Sequence, residues 1–200
     1  MLLEAKNLRF AYGKSTPVLD GVSFCVGAGE RIALVGPSGC GKSTLSHILA
    51  GYIKPQSGEV LFNGKAYKRK GFCPVQLICQ HPEKALNPRW KLRDTLHESW
   101  KPDADFLDEI GISAQWLDRY PTELSSGELQ RFCVARALAP QTRVIIADEM
   151  STMLDVISQA QIWGLMLDQI ERRGLGLLAV THSRELAERV CARIVLFENL

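Results

Sequence analysis

The sequence predicts an α/β protein with a mostly parallel core sheet, an antiparallel β portion near the N-terminus and a helical subdomain. Three observations predict it. Early apolar runs are short and separated by turns such as Asp20-Gly21 and Gly27-Ala28-Gly29, the pattern of antiparallel hairpins. Later apolar runs alternate with helical patterns, as parallel strands require because each needs a crossover between them. Residues 84–140 carry helical signals, no strong strand, and prolines at positions 88, 102 and 121.

Taken in order, strands are expected at residues 2–10, 22–26 and 32–35. A helix should begin near Lys42, with Leu45, Ile48 and Leu49 on its apolar stripe and Gly51 as its stop. Strands at 59–62 and 77–79 precede the helical segment. Within that segment Ser125 and Glu128 form an S-x-x-E capping box, so a helix opens there with Leu129, Phe132, Cys133 and Ala137 on its buried face. Strands at 144–147, 177–181 and 194–197 complete the core. The 200 residues suit one domain, with 1–83 and 141–200 as core plus antiparallel portion and 84–140 as the helical subdomain.

A net charge of +2 gives no electrostatic case for nucleic-acid binding. The basic cluster Lys65, Lys68, Arg69 and Lys70 follows the turn Phe62-Asn63-Gly64 and reads as a solvated hairpin. Six cysteines show no C-x-x-C and no zinc-like grouping. Cys25 and Cys133 read as small core residues, and a disulfide at Cys40 would obstruct the glycine-rich loop around it. A reducing cytosol is the expected compartment. No signal peptide opens the chain, and no apolar run approaches the ~18 residues that span a bilayer.

Residues 36–44 read Gly36-Pro37-Ser38-Gly39-Cys40-Gly41-Lys42-Ser43-Thr44, directly after the apolar run 32–35. This G-x-x-x-x-G-K-S pattern between strand and helix is a phosphate-binding P-loop. Its glycines let backbone N–H groups converge on phosphate oxygens, and the helix that follows adds its partial positive end. Lys42 can reach the β- and γ-phosphates, and the Ser43 hydroxyl can ligate Mg²⁺. Residues 143–149, Arg-Val-Ile-Ile-Ala-Asp-Glu, form a buried strand ending in two carboxylates, the Walker B pattern. Asp148 suits the Mg²⁺ shell, and Glu149 suits a general base acting on water.

The run Leu-Ser-Ser-Gly-Glu at 124–128 lies shortly before Asp148 and resembles the signature motif of ATP-binding cassette (ABC) proteins. The resemblance covers nearly the whole chain. It implies that Tyr12 stacks on adenine, that Gln80 is the Q-loop glutamine touching Mg²⁺ or water, and that residues 150–155, ending in Asp155, form the D-loop. It also implies that His182 senses the γ-phosphate. The alternative for Tyr12 is an ordinary strand aromatic, and His47, His81 and His97 carry no comparable pattern. Members of this family pair head to tail, each ATP held between one subunit's P-loop and the signature residues Ser125, Ser126, Gly127 and Glu128 of the other. The run from Gln80 to Arg89, Gln-His-Pro-Glu-Lys-Ala-Leu-Asn-Pro-Arg, is similar to the oligopeptide, dipeptide and nickel importer branch.

That resemblance implies an ATP-hydrolysing subunit at the cytoplasmic face of the membrane. Its partners would be a second, different ATPase subunit, two transmembrane permeases and, indirectly, an extracytoplasmic substrate-binding protein. The cargo would be a peptide, nickel or another metal chelate. The alternatives are a soluble ABC ATPase in DNA repair or translation, and a regulatory cassette of low turnover. Three departures bear on this. Ser126 replaces the usual signature glycine, which matters only if φ must be positive there. Met150 and Met153 stand where the D-loop usually has Pro and Ala. The chain stops at Leu200, without the C-terminal extension that branch relatives often carry.

Overall fold

The computed structural model describes residues 1–13, 16–66 and 71–200. Along the chain these form strands β1 (Leu3–Phe10), β2 (Leu19–Val26) and β3 (Arg31–Val35), then helix α1 (Lys42–Leu49). Strands β4 (Ser57–Phe62), β5 (Lys65–Ala66) and β6 (Val75–Ile78) follow, and then helices α2 (Pro82–Ala85), α3 (Leu92–His97), α4 (Ala104–Ile110) and α5 (Ser126–Ala137). The chain closes with β7 (Val144–Asp148), α6 (Val156–Arg173), β8 (Gly176–Thr181), α7 (Arg184–Val190) and β9 (Arg193–Leu196).

Two sheets share the strands. An antiparallel sheet has the order β2-β1-β4-β5, and a wholly parallel sheet has the order β6-β7-β8-β3-β9. The central strands β7 and β8 are buried at every position, which is why they read as continuous apolar runs rather than alternating ones. Side chains alternate between two cores. Ile32, Leu34, Ile146, Leu178 and Val180 pack with α1 and the antiparallel sheet. Ile145, Ala147, Leu177 and Ala179 pack on the opposite face with α5 and α6.

Several boundaries differ from expectation for reasons of pairing. β2 starts at Leu19 because Phe10 pairs with it, and β6 spans Val75–Ile78 because Val75 pairs with Val144. The two-residue β5 closes a hairpin in which Asn63 and Gly64 both take positive φ, as a tight two-residue turn demands. Lys65 lies in that strand, whereas Lys68, Arg69 and Lys70 fall outside the described residues. Among the described residues all six cysteines are free. Cys133 is buried, but Cys25 is only half-buried: strand alternation turns Phe24 and Val26 inward and sends Cys25 to the other face.

Between β6 and β7 the described residues hold helices and turns. Helix α5 is fastened there by long polar side chains that satisfy backbone carbonyls. Arg131 donates to Ile110 O and to Gln161 Oε1, each at 2.8 Å. Trp100 donates its indole N–H to Ala135 O, and Arg173 donates to Leu138 O and Ala139 O just past the helix end. These bonds tie the middle of α5 and the turn after it to α4, to α6 and to the segment around Trp100.

Candidate nucleotide site

The four core motifs leave the carboxyl ends of neighbouring parallel strands. Gln80 follows β6, Asp148 and Glu149 end β7, His182 follows β8, and the loop 36–41 follows β3. In an open parallel sheet this is the edge where ligands bind. A cleft of about 540 Å³ opens there, with Tyr12 and Val18 on one side, Lys42, Ser43 and Thr44 at the helix start, and Gln80 and Glu149 opposite.

Loop 36–41 needs its glycines. Gly39 and Gly41 take φ of +81° and +118°, and a Cβ on Gly41 would come within 2.9 Å of both Phe197 and Val18. Gly41 also sits at the N-cap of α1 with no side chain to bond the first-turn N–H groups. Those donors and the dipole end are therefore open to an anion. Lys42 is only 4% exposed, and its ammonium donates to Gly36 O at 2.7 Å and Pro37 O at 2.8 Å. Cys40, 4.0 Å from that ammonium, does not line the cleft. Ser38 and Gly39 do.

Asp148 is 6% exposed. Burial pushes its carboxyl above the usual range, and a hydrogen bond from Ser43 and the nearby His47 pull against that. Its Oδ1 is buried without a hydrogen-bond partner. An orphaned carboxylate oxygen beside a serine hydroxyl is a donor set that suits a hard cation. Glu149 carries the unusual backbone: φ of +47° on a residue with a Cβ, held by a bond from its N–H to Val180 O at 2.9 Å. His182 Nδ1 stands 3.3 Å from Glu149 Oε2. Gln80 donates its side-chain N–H to Thr152 Oγ1 at 2.9 Å.

Tyr12 is 55% exposed, with its hydroxyl 3.2 Å from Thr44 Oγ1 and its ring edge-on to Phe10. A ring so presented offers a stacking face at the mouth of the cleft. His47 Nδ1 is bonded to Ser43 O at 2.7 Å, which gives that histidine a place inside α1.

The remaining candidates do not meet this cleft within the chain. Glu128 accepts from Ser125 N and Oγ, each at 2.7 Å, while Ser125 Oγ accepts from Glu128 N: the expected capping box is complete. Ser126 is the first residue of α5 and is not among the positive-φ residues, so serine costs nothing in backbone conformation there. Gly127 has room for a Cβ, whose nearest neighbour would be Leu154 at 3.7 Å. Asp155 caps α6, accepting from Ile157 N, Ser158 N and Ser158 Oγ. Met150 is buried in the core and Met153 is exposed.

Sequence reasoning missed three neighbours of the site. Val18 lines the cleft, and Phe197 underlies Gly36 and Gly41. Thr152 bonds both Gln80 and Glu149. Only Thr152 carried a signal, as a hydroxyl inside a motif already singled out.

Known proteins resemble this chain in sequence and in fold. The ABC transporter family model matches residues 19–152. The nickel import ATP-binding protein NikE of Escherichia coli O157:H7 is 34% identical over 201 aligned residues, covering 91% of this chain and 75% of that protein. A solved ATP-binding subunit of an ABC transporter superposes with a TM-score of 0.83 at 27% identity, covering 98% of this chain and 85% of the other. CbiO1 from Clostridium perfringens, part of an ABC transporter complex, gives 0.79 at 26% identity, covering 98% and 84%. The chain belongs to the ABC transporter family and is an ATPase with the ATP-binding cassette fold.

Proposed function

We propose that this ATPase powers a membrane importer of the nickel and peptide branch from the cytoplasmic face of the membrane. The ATPase part of the reading rests on the convergence of Lys42, Gln80, Glu149 and Tyr12 on one cleft at the strand tips, while Ser125–Glu128 and Asp155 lie outside it. The importer part rests on the 34% identity to a nickel import ATP-binding protein. In this reading residues 84–140 form a helical subdomain that carries the signature helix to a second cassette.

Within the site, the loop N–H groups and Lys42 bind the triphosphate, and Tyr12 stacks on the base. Ser43, Asp148 and Gln80 would hold Mg²⁺, which fits the unpartnered Asp148 oxygen. Bound there, the ion would neutralise phosphate charge. Glu149 accepts the proton of the attacking water, and His182, 3.3 Å from that carboxylate, orients it toward the γ-phosphate.

A partner is needed because the signature residues do not reach the cleft of their own chain. Among the described residues none would crowd a Cβ on Gly127, so this end of α5 is open to a neighbour. Among the described residues no helix is long and apolar enough to cross a membrane. The partners proposed are a different ATPase subunit, two transmembrane permeases and an external binding protein. Nickel import is named for the 34% identical relative, and the run from Gln80 to Arg89 is similar to that branch. Cargo is therefore nickel, another metal chelate or a short peptide.

Isolating the native complex and identifying its proteins by mass spectrometry tests this reading. Two membrane subunits and a second cassette are the expected companions. Ribosomes or DNA in their place would overturn it in favour of a soluble ABC ATPase.

A further inference from the structure

We propose that Thr152 is a positioning residue for ATP hydrolysis, its hydroxyl joining the Gln80 side chain to the Glu149 backbone; this rests on the roles given above to Gln80 and Glu149. Gln80 Nε2 donates to Thr152 Oγ1 at 2.9 Å, and Thr152 Oγ1 donates to Glu149 O at 3.0 Å. The Thr152 N–H reaches the same carbonyl at 3.2 Å.

The chemistry of the hydroxyl makes this relay directional. A threonine hydroxyl has one proton. Donated to the Glu149 carbonyl, it leaves only lone pairs for Gln80, so Gln80 must present its NH₂ end. The amide oxygen, the only atom of that side chain able to meet a hard cation, is thereby left unengaged by Thr152. At the other end, two donors converge on the carbonyl of a residue whose φ of +47° is unfavourable for a side chain with a Cβ. Such a conformation persists only where its surroundings hold it.

The rest of the turn is anchored elsewhere. Met150 is buried, Ser151 Oγ accepts from Gln159 Nε2 at 2.8 Å and Trp163 Nε1 at 3.0 Å, and Asp155 caps α6. Thr152 is the point where this anchored turn reaches back, across 72 positions, to the tip of β6. Thr152 itself does not line the cleft. Its loss should therefore slow the chemical step and leave nucleotide affinity alone.

Single-turnover hydrolysis by the native complex carrying this chain and its partner cassette, in excess over radiolabelled MgATP and at varied complex concentration, separates the two quantities. Thr152→Val keeps the shape and removes the hydroxyl, at an exposed position where folding tolerates it. Its maximal rate should fall about tenfold with half-saturation unchanged within about twofold, the pattern of lost positioning rather than lost binding. Thr152→Ser should restore the rate to within about twofold of wild type, since it keeps the donor and acceptor. In a Gln80→Ala background, Thr152→Val should cost less than about twofold more, because residues acting as one unit are not additive. Three results would each overturn the inference: a wild-type rate in Thr152→Val, a serine variant as slow as the valine one, or full additivity with Gln80→Ala. Wild type no faster than Glu149→Gln would instead overturn the assignment of Glu149 as base, and this inference with it.

Discussion

Two helix N-termini in this molecule are finished in opposite ways. α1 starts at Gly41, which has no side chain and leaves the first-turn N–H groups bare. α5 starts at Ser125, whose hydroxyl and N–H are locked with Glu128 in a reciprocal box. A bare, positively polarised end in a cleft is costly unless an anion comes to it. A capped end is stable alone and can sit at the surface. Under the proposed function the contrast separates two tasks: the first end would grip phosphate within its own chain, and the second would meet a nucleotide held by another. Even the capped end keeps donors in reserve, since among the described residues no hydrogen bond engages the N–H of Ser126 or Gly127.

The largest effect should come from the chemistry beside the bare end. Glu149→Gln keeps the size and hydrogen-bonding reach of the side chain while removing its basicity. Hydrolysis should slow by about 100-fold or more, the usual scale for losing a general base, while MgATP binding persists. Rapid-quench measurement of phosphate release alongside fluorescent-nucleotide binding checks both halves. Undiminished turnover would remove Glu149 from that role and leave its strained backbone without a catalytic explanation.

Next in size is the wall of the same cleft. Tyr12→Ala should weaken ATP binding by about 1–2 kcal/mol through loss of base stacking. Tyr12→Phe should keep most of that affinity, because it forfeits only the 3.2 Å contact with Thr44. Titration calorimetry with a non-hydrolysable analogue distinguishes them. Equal affinity in Tyr12→Ala would make Tyr12 an aromatic that packs against Phe10 just past β1 rather than a nucleotide contact.

What could be read in advance divides along the same line. The loop 36–44, the buried strand into Asp148 and the Ser125–Glu128 box were legible because each is local: spacing alone dictates which backbone groups meet. The parallel order β6-β7-β8-β3-β9 follows less directly, since alternating elements imply parallel strands without saying which strand sits beside which. Phe197, Val18 and Thr152 were hidden because their roles are made by contacts across the fold: Phe197 meets the loop more than 150 positions away in sequence. Asp155 shows the converse. Its place in the D-loop suggested the nucleotide, yet within this chain its carboxylate is fully engaged as the cap of α6.

The smallest effect concerns the capped end and depends on pH. The Glu128 carboxyl is held below its ordinary value of 4.5 chiefly by the Ser125 N–H, and then by the Ser125 hydroxyl. A depressed folded-state value means that folding favours the charged form. Its contribution is complete above pH 4.5, where the unfolded chain is also ionised, and is lost as pH falls through the lower folded-state value. Glu128→Ala should therefore destabilise the protein near neutrality by about 1 kcal/mol, as cap deletions do. The gap between wild type and variant in urea midpoint should narrow steadily on acidification below that point. A gap that stayed constant would mean that Glu128 acts by packing rather than by its charge. An enlarged gap in acid would reverse the sign of the linkage and break the contrast between the two helix ends, because the box would then not be what closes the second one.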